Sequence, residues 1–196
     1  MEKTKSYDVF VIGAGPGGYT AAILAAKKGL KVGIAEGSRF GGTCTNTGCI
    51  PAKTYIESVN LLKKIREAAR FAIEVQSPTL DFARLKTRKD RVVTRLSKGI
   101  EYLLKKQGVD VFSSTASVPE PGSVIAGDAL LHTENTIIAT GSRPKRLKLF
   151  DKSGIWTSDE VFEATSIPAS LAIVGGGVIG MEIAHIFSTI GADVTI

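Results

Sequence analysis

The feature that most constrains this chain is an internal repeat. An eight-residue segment starting at Val11, VIGAGPGG, recurs from Ile173 as IVGGGVIG, an offset of 162 residues. At the same offset Gly29 matches Gly191. Each copy is an apolar strand, a glycine-rich turn, an apolar helix and a second apolar strand, so the pattern predicts two βαβ units in one chain.

A GxGxxG turn between a strand and a helix is typical of a dinucleotide-binding fold. The first two glycines let the backbone approach a pyrophosphate, the third lets the helix pack on its strand, and the helix N-terminus offers N–H groups to the phosphate. One such turn is weak evidence, whereas two in the same context are strong. The glycines are Gly13, Gly15, Gly17 and Gly18 in the first copy and Gly175, Gly177 and Gly180 in the second.

The first copy continues to Glu36, 23 residues after Gly13 and at the end of the second strand. A carboxylate at that place accepts hydrogen bonds from a ribose diol. The equivalent position in the second copy would be 198, and the chain ends at Ile196. We therefore expect the chain to be a fragment that stops before the residue that helps to select NAD or NADP.

Between the two copies the pattern predicts helices and short strands. One helix is expected over residues 46–73, and a second from Phe82 to Lys106, closed by Gly108. Strands are expected over residues 109–112, 116–118, 124–126, 129–131 and 136–139. The second helix is expected to bury one apolar face, made of Leu85, Val92, Leu96, Ile100 and Leu103.

Composition excludes several classes of protein. With 43% hydrophobic residues the chain is not disordered, and no stretch approaches the roughly 18 apolar residues of a membrane helix. The N-terminal apolar run is too short for a signal peptide. We expect a cytoplasmic protein with no membrane partner.

The net charge of +6 is concentrated in residues 63–106, which hold 13 Lys and Arg residues against five acids. A nucleic-acid-binding surface is one interpretation of such a segment. Aromatic residues for base stacking are scarce there, so we interpret the charges as the solvated side of helices and expect no nucleic-acid partner.

Four residues separate the two cysteines, Cys44 and Cys49, in the segment GGTCTNTGCIPAK. At the start of a helix the dipole favours thiolate, and about one turn brings both sulfurs within disulfide reach. The alternatives are two unreactive buried cysteines, a structural disulfide, which is unusual inside a cell, or part of a zinc site. Zinc would need two further ligands, and neither His132 nor His185 has a partner motif. A redox-active disulfide beside a flavin accounts for more of the segment.

Taken together, these motifs resemble the flavin disulfide reductases of the pyridine-nucleotide class. The resemblance rests on GAGPGGY, on GGTC and GCIPAK, on the second GxGxxG, and on the strand end Ala139-Thr140-Gly141. Within that family the sequence most resembles the dihydrolipoamide dehydrogenases. Thr45 and Thr47 depart from the pattern, because members usually carry apolar residues there.

The resemblance implies an α/β fold in two parts. Residues 1–150 would form a Rossmann-like FAD-binding domain with a parallel sheet, a small antiparallel insertion and the redox disulfide. Residues 151–196 would begin a second Rossmann-like domain, which binds NAD(P) and is truncated here. The family's C-terminal interface domain, which carries the catalytic histidine, would lie beyond Ile196.

The resemblance also implies the roles of individual residues. Cys44 would exchange with the substrate, Cys49 would face the flavin, and Lys53 would lie near flavin N5 in a buried pair with Glu182. The other implied FAD contacts are Gly13, Gly15, Gly17, Gly18, Glu36, Gly42, Thr43, the Ala116 backbone, Thr140 and Gly141. Gly175, Gly177 and Gly180 would hold NAD, with NADP as the alternative.

The implied function is an FAD-dependent dithiol–disulfide oxidoreductase that converts dihydrolipoamide and NAD to lipoamide and NADH. Its substrate would be a small dithiol or disulfide, such as a lipoyl group on a carrier domain, and the full-length protein would be a homodimer without a metal. The alternatives are a glutathione or mercuric reductase and a non-catalytic nucleotide-binding module. We expect the 196-residue chain by itself to have little or no turnover.

Overall fold

The computed structural model describes residues 5–146, 148 and 154–196. The α-helices in these ranges are α1 (Pro16–Lys27), α2 (Gly42–Asn46), α3 (Cys49–Arg66), α4 (Phe82–Lys106) and α5 (Val178–Thr189), and short 3-10 turns cover Ala68–Phe71 and Val161–Glu163. The strands are β1 (Ser6–Ile12), β2 (Val32–Ala35), β3 (Asp110–Phe112), β4 (Ala116–Ser117), β5 (Ser123–Ala126), β6 (Ala129–Ile138), β7 (Ser170–Ala172) and β8 (Asp193–Thr195). The chain divides into two compact units, residues 1–46 with 94–143 and residues 47–93 with 144–196.

The first unit is built on a mixed sheet with the strand order β3-β2-β1-β6-β5-β4. The strands β3, β2, β1 and β6 are parallel, while β5 and β4 extend the sheet as antiparallel strands. In register, Val9 of β1 lies opposite Val32 of β2 on one side and Asn135 of β6 on the other. This arrangement confirms the predicted α/β fold with a parallel sheet and a small antiparallel insertion.

Two apolar clusters cover the two faces of this sheet, because neighbouring side chains of a strand point to opposite sides. On one face Val11 of β1 joins a cluster that includes Ala22 of α1 and Leu104 of α4. On the other face Phe10 joins a cluster that includes Val124 of β5. The packing leaves the carboxyl ends of β1 and β2 next to the glycine-rich turn.

The region 129–139 differs from the prediction, since one continuous strand replaces the two short strands expected there. The polar residues Glu134 and Asn135 look like a break in the sequence pattern. Their backbones nevertheless remain in β6, which pairs with β5 over residues 129–132 and with β1 over residues 132–138. The Asn135 side chain adds a hydrogen bond to the Asp8 carbonyl at 3.1 Å.

The second unit contains a parallel pair, β7 and β8, connected through α5. Leu171 lies opposite Val194 in this pair. Helix α3 and the first half of α4 contribute to the same core. Its largest buried members are Tyr55, Phe82, Phe162, Ile186 and Phe187.

The two long helices only partly match the prediction. The helix expected over residues 46–73 is α3, which begins at Cys49 after the N-cap residue Gly48 and ends at Arg66. The bounds of α4 agree with the prediction, but its predicted apolar face is buried only in part, with Leu85 at 5% exposure. Leu96 and Leu103 are 40% and 46% exposed, whereas Lys89 is 2% exposed.

The domain boundary predicted between residues 150 and 151 falls outside the described residues, and the division into domains 1–150 and 151–196 stays a prediction. Within the described ranges, no helix is both long and apolar enough to cross a lipid bilayer.

Candidate functional site

The first glycine-rich turn has no room for side chains at two positions. Gly13, directly after β1, has a φ of +98°, and a Cβ there would lie 2.4 Å from the Ala139 carbonyl oxygen. A Cβ on Gly18 would lie 1.8 Å from the carbonyl oxygen of Gly13. Glycine is therefore needed for the tight turn at Gly13 and for the close packing of α1 on the end of β1.

Helix α1 presents its N-terminus at this turn. Gly15 is the N-cap residue and Pro16 is the first helical residue. Gly15 has no side chain with which to cap the helix, and the described first turn of α1 carries no acidic residue. The first-turn N–H groups and the positive end of the helix dipole are thus directed at the space where a phosphate would bind.

The carboxylate of Glu36 lies against the same turn. Its Oε2 accepts a hydrogen bond from the Ala14 N–H at 2.9 Å, and its Oε1 accepts one from the Ser38 N–H at 2.9 Å. A carboxylate has about four acceptor positions. Glu36 therefore retains acceptor capacity for the hydroxyl groups of a ribose.

The segment that carries Cys44 begins on the first glycine-rich turn. The Gly41 N–H donates to the Ala14 carbonyl at 2.8 Å, and a Cβ on Gly42 would lie 2.8 Å from the Cα of Gly15. Helix α2 starts from this contact, with Thr43 exposed and Cys44 half-buried. The backbone approach at Gly42 and Gly15 places the first cysteine two residues from the predicted phosphate site.

Three further residues that are predicted to contact FAD lie near the carboxyl ends of the parallel strands of the first sheet. The Cα of Thr140 would lie 3.2 Å from a Cβ on Gly13, and Gly141 follows it in an exposed position. Ala116 is in β4, and the residue before it, Thr115, lies beside Gly37, where a Cβ would be 2.7 Å from the Thr115 Cγ2. Ala116 is therefore next in the chain to a residue that lies beside Gly37, which directly follows Glu36.

The second glycine-rich turn has nearly the same geometry as the first. Gly175 has a φ of +113°, and a Cβ on Gly180 would lie 2.0 Å from the Gly175 carbonyl oxygen. The N-cap residue Gly177 has φ and ψ of −73° and 179°, against −69° and −179° at Gly15. The internal repeat of the sequence is thus an internal repeat of structure.

The second unit also contains the other predicted redox residues. Cys49 is the exposed first residue of α3, and Lys53 lies one turn later. The Lys53 ammonium forms an ion pair with the Glu182 carboxylate of α5. The resemblance implies a buried pair, but here the Lys53 side chain is 60% exposed and that of Glu182 is 23% exposed. Cys44 belongs to the first unit, and the disulfide between the two cysteines stays a prediction.

Asn46 is a residue of this region that the sequence analysis did not select. Its Nδ2 donates to the carbonyls of Gly42 at 2.9 Å and Phe40 at 3.2 Å, which fixes the turn that carries Cys44. Its Oδ1 is buried and has no hydrogen-bond partner among the described residues. The sequence could have pointed to Asn46 through its position, because it is a polar residue between the two cysteines.

Lys89 is a second residue that the sequence pattern does not single out. Its ammonium contacts Glu163 Oε1 and Asp90 Oδ1, each at 2.7 Å. Burial raises the pKa of the nearby Tyr55 phenol, and the charges of Asp90 and Glu163 raise it further. The sequence pattern predicts a solvent-exposed lysine in this basic helix. Its long-range partner Glu163, 74 residues later in the chain, has no local signal in the sequence.

The first turn fits the pyrophosphate and one ribose of a dinucleotide, and the second turn repeats the helix N-terminus and the glycine geometry. Two such turns define an α/β protein of the kind that binds two dinucleotides. A family model described as "Pyridine nucleotide-disulphide oxidoreductase" matches residues 7–196. The chain therefore belongs to the pyridine nucleotide-disulphide oxidoreductase family, which implies FAD and NAD(P) as cofactors.

Curated relatives and a solved structure agree with this family. A dihydrolipoyl dehydrogenase of Acholeplasma laidlawii is 38% identical over 200 residues, covering 98% of this chain and 60% of that protein. One of Bacillus subtilis (strain 168) is 40% identical over 205 residues, covering 97% of this chain and 43% of that protein. The HOCl-induced flavoprotein disulfide reductase RclA from Escherichia coli has a TM-score of 0.82 at 29% identity, over 96% of this chain and 41% of its own. The chain thus spans two to three fifths of the length of these proteins.

Proposed function

We propose that the whole protein is an FAD-dependent dithiol–disulfide oxidoreductase that converts dihydrolipoamide and NAD⁺ to lipoamide, NADH and a proton. The two dihydrolipoyl dehydrogenases, at 38% and 40% identity, support the choice of substrate. The observation that carries the proposal is the contact between Gly42 and Gly15, because it connects the cysteine segment to the first dinucleotide-binding turn. A cysteine pair beside a flavin nucleotide is the arrangement that this chemistry needs.

The first turn would hold the FAD. The N-terminus of α1, with Gly13, Gly15, Gly17 and Gly18, would face the pyrophosphate together with Gly42 and Thr43. Glu36 would accept hydrogen bonds from the adenosine ribose, with the Ala116 backbone at the adenine and with Thr140 and Gly141 over the cofactor. When bound, FAD supplies an acceptor for an electron pair on its way to the nicotinamide. Gly175, Gly177 and Gly180 would hold that second nucleotide, and the choice of NAD over NADP is part of the proposal.

The cysteines would carry out the exchange with the substrate. A thiolate of dihydrolipoamide attacks the Cys44 sulfur, the Cys44–Cys49 bond breaks, and Cys49 leaves as a thiolate. The second substrate thiol then attacks the mixed disulfide and releases Cys44. The substrate becomes a disulfide, and its two electrons remain on the cysteine pair as a dithiol.

Lys53 and Glu182 would act by electrostatics. The ion pair with Glu182 restrains the Lys53 ammonium. A fixed cation beside the cofactor stabilises the negative charge that comes with a transferred electron pair. We further propose that the lipoyl group is presented on a carrier domain and that the full-length protein is a homodimer. A cytoplasmic location stays a prediction from the sequence.

A related disulfide reductase with another substrate is the second candidate, since the solved relative RclA has a TM-score of 0.82 to this chain. The whole protein should be purified with its flavin and assayed for NADH and NADPH oxidation with lipoamide, glutathione disulfide and mercuric ion. We expect turnover with lipoamide and NADH, and its loss in Cys44→Ser and Cys49→Ser. Lipoamide turnover that survives in Cys44→Ser would contradict the proposed role of the cysteines, and turnover only with another substrate would support the second candidate.

A further inference from the structure

The loop between the cysteines has a side-chain anchor on its Cys49 side. Thr47 Oγ1 donates a hydrogen bond to Asp159 Oδ1 at 3.1 Å, and the two residues are half-buried in the same unit. Thr47 directly precedes Gly48, the N-cap residue of the helix that begins with Cys49. Because glycine has more backbone freedom than other residues, the loop that joins Cys44 to the start of α3 can move at Gly48 unless its neighbours are restrained.

Asp159 lies in a turn with its own internal hydrogen bonds. The Thr157 N–H donates to Glu160 Oε2 at 2.7 Å, the reciprocal contact of a capping box, and Arg146 forms an ion pair with the same carboxylate. The Thr157 carbonyl also accepts from the N–H groups of Glu160 and Val161 at 3.1 and 3.2 Å. These bonds fix the backbone that presents the Asp159 carboxylate.

The residues that follow attach this turn to two helices, and we call residues 157–163 the strap. Val161 and Phe162 are 4% and 3% exposed, and the Phe162 ring lies 5.4 Å from the ring of Tyr55 in α3. Glu163 forms ion pairs with Lys89 at 2.7 Å and Lys86 at 2.8 Å in α4. The strap is therefore a fixed support for the Thr47 hydroxyl.

We propose that Asp159 is a positioning residue for the cysteine pair and acts through Thr47. The hydrogen bond limits the motion of the loop at Gly48 and so raises the effective concentration of the Cys49 thiol at Cys44. A higher effective concentration favours the disulfide over the dithiol. This inference rests on the proposed function, since it requires that Cys44 and Cys49 form a disulfide.

The test measures the thiol–disulfide equilibrium of the whole flavin-loaded protein, without reference to turnover. The protein is equilibrated with mixtures of reduced and oxidised dithiothreitol, quenched in acid, alkylated and weighed by mass spectrometry. As the Cys44–Cys49 bond forms, the bond of oxidised dithiothreitol breaks, and two electrons and two protons pass to the reagent. Thr47→Val and Asp159→Ala should each lower the equilibrium constant for the protein disulfide by about two- to tenfold, the usual effect of one lost hydrogen bond.

Three variants separate positioning from general damage to the fold. Thr47→Ser and Asp159→Asn keep a donor or an acceptor and should stay close to the wild type. Thr87→Val removes a hydroxyl that donates to the Ala83 carbonyl at 2.9 Å in α4, and it should leave the equilibrium unchanged. If the two side chains act through one hydrogen bond, the double variant Thr47→Val with Asp159→Ala should have an equilibrium constant no lower than that of the more affected single variant.

Two results would overturn the inference and are distinguishable. If the wild type forms a Cys44–Cys49 disulfide and folded Thr47→Val has the same equilibrium constant, the positioning role is wrong while the proposed function stands. If the wild type forms no such disulfide at any reagent ratio, the proposed function fails and the inference fails with it. Should Asp159→Ala not fold, Thr47→Val against Thr47→Ser decides the matter.

Discussion

At the scale of residues, the first glycine-rich turn separates what the fold needs from what a ligand needs. Gly13 has a positive φ and no space for a Cβ, whereas Gly15 has backbone angles open to any residue and a nearest neighbour 3.8 Å from its Cβ position. The fold thus excludes a side chain at Gly13 but not at Gly15. A ligand on the helix N-terminus is the reason to expect glycine at Gly15.

Gly15→Ala should therefore keep the fold and weaken FAD binding. We expect its free energy of unfolding to stay within about 1 kcal/mol of the wild type, while the dissociation constant for FAD rises at least about tenfold. Gly13→Ala should lose about 2–4 kcal/mol of stability from strain and overlap. Urea unfolding and flavin fluorescence titration of the deflavinated protein measure the two effects, and unchanged FAD affinity in Gly15→Ala would place the pyrophosphate elsewhere.

Glu36→Ala tests the ribose contact. The change removes the acceptor of two backbone N–H groups and the proposed acceptor of the ribose hydroxyls. Hydrogen bonds to a charged group are worth about 1.5–3 kcal/mol, so the dissociation constant for FAD should rise about 10- to 100-fold. Glu101→Ala is the matched control, because it removes a half-buried acid whose ion-pair partner among the described residues is Lys105, one turn later in α4. Equal FAD affinities in the two variants would contradict the role of Glu36.

The sequence predicts the proposed roles of residues that belong to a local motif. Glu36 follows from its place at the end of the second strand, and the roles of the turn glycines follow from the GxGxxG pattern. Asp159 has no such signal, because its partner Thr47 is 112 residues away and the contact exists only in the folded chain. Pairs of residues this far apart in the chain can be identified only from the folded structure.

At the scale of elements, the sequence predicts the bounds of helix α4 better than the side of the helix that is buried. Its bounds follow from local signals, above all Gly108 after the last turn, and they agree with the prediction. Its buried face follows only in part. Leu85 is buried as predicted, whereas Leu96 and Leu103 remain at the surface and Lys89 is buried in an ion pair with Glu163. Likewise, β6 continues through the polar residues Glu134 and Asn135 because β1 pairs with it over residues 132–138.

The ion pairs of the strap predict a pH dependence of stability. Burial alone would raise the pKa of Glu163, but hydrogen bonds from Lys86 and Lys89 outweigh it and lower that pKa below its ordinary value. A group with a lowered pKa in the folded state stabilises the protein above the pKa of the unfolded state. That contribution is lost as the pH falls through the lowered pKa.

Glu163→Gln should therefore flatten the acid limb of the stability curve. At neutral pH we expect a loss of about 0.5–1 kcal/mol, a small value because the Glu163 side chain is 60% exposed and the pair is screened by solvent. As the pH falls below the ordinary carboxyl range, the difference from the wild type should shrink. Urea unfolding at several pH values measures it, with Thr87→Val as a control that adds no titrating group. A difference that stays constant with pH would mean that the ion pairs do not contribute in this way.

At the scale of the whole molecule, the repeat in the sequence becomes two glycine-rich turns with nearly the same backbone angles. Sequence alone predicts this duplication, the α/β class and the family, because all three follow from motifs read in order. It does not predict that residues 47–93 form one compact unit with residues 144–196. That grouping depends on Tyr55 and Phe82 packing with Phe162 and Phe187, which are far away in the chain.

We propose above all that Cys44 and Cys49 exchange electron pairs with a flavin held on the first turn. The most direct test is an anaerobic titration of the purified whole protein with NADH, followed by absorbance and by mass spectrometry of alkylated cysteines. We predict that the first two electrons per flavin leave the flavin oxidised, produce a long-wavelength charge-transfer band and open two alkylation sites, at Cys44 and Cys49. Complete bleaching of the flavin by those two electrons, with no new thiol at either cysteine, would contradict the account.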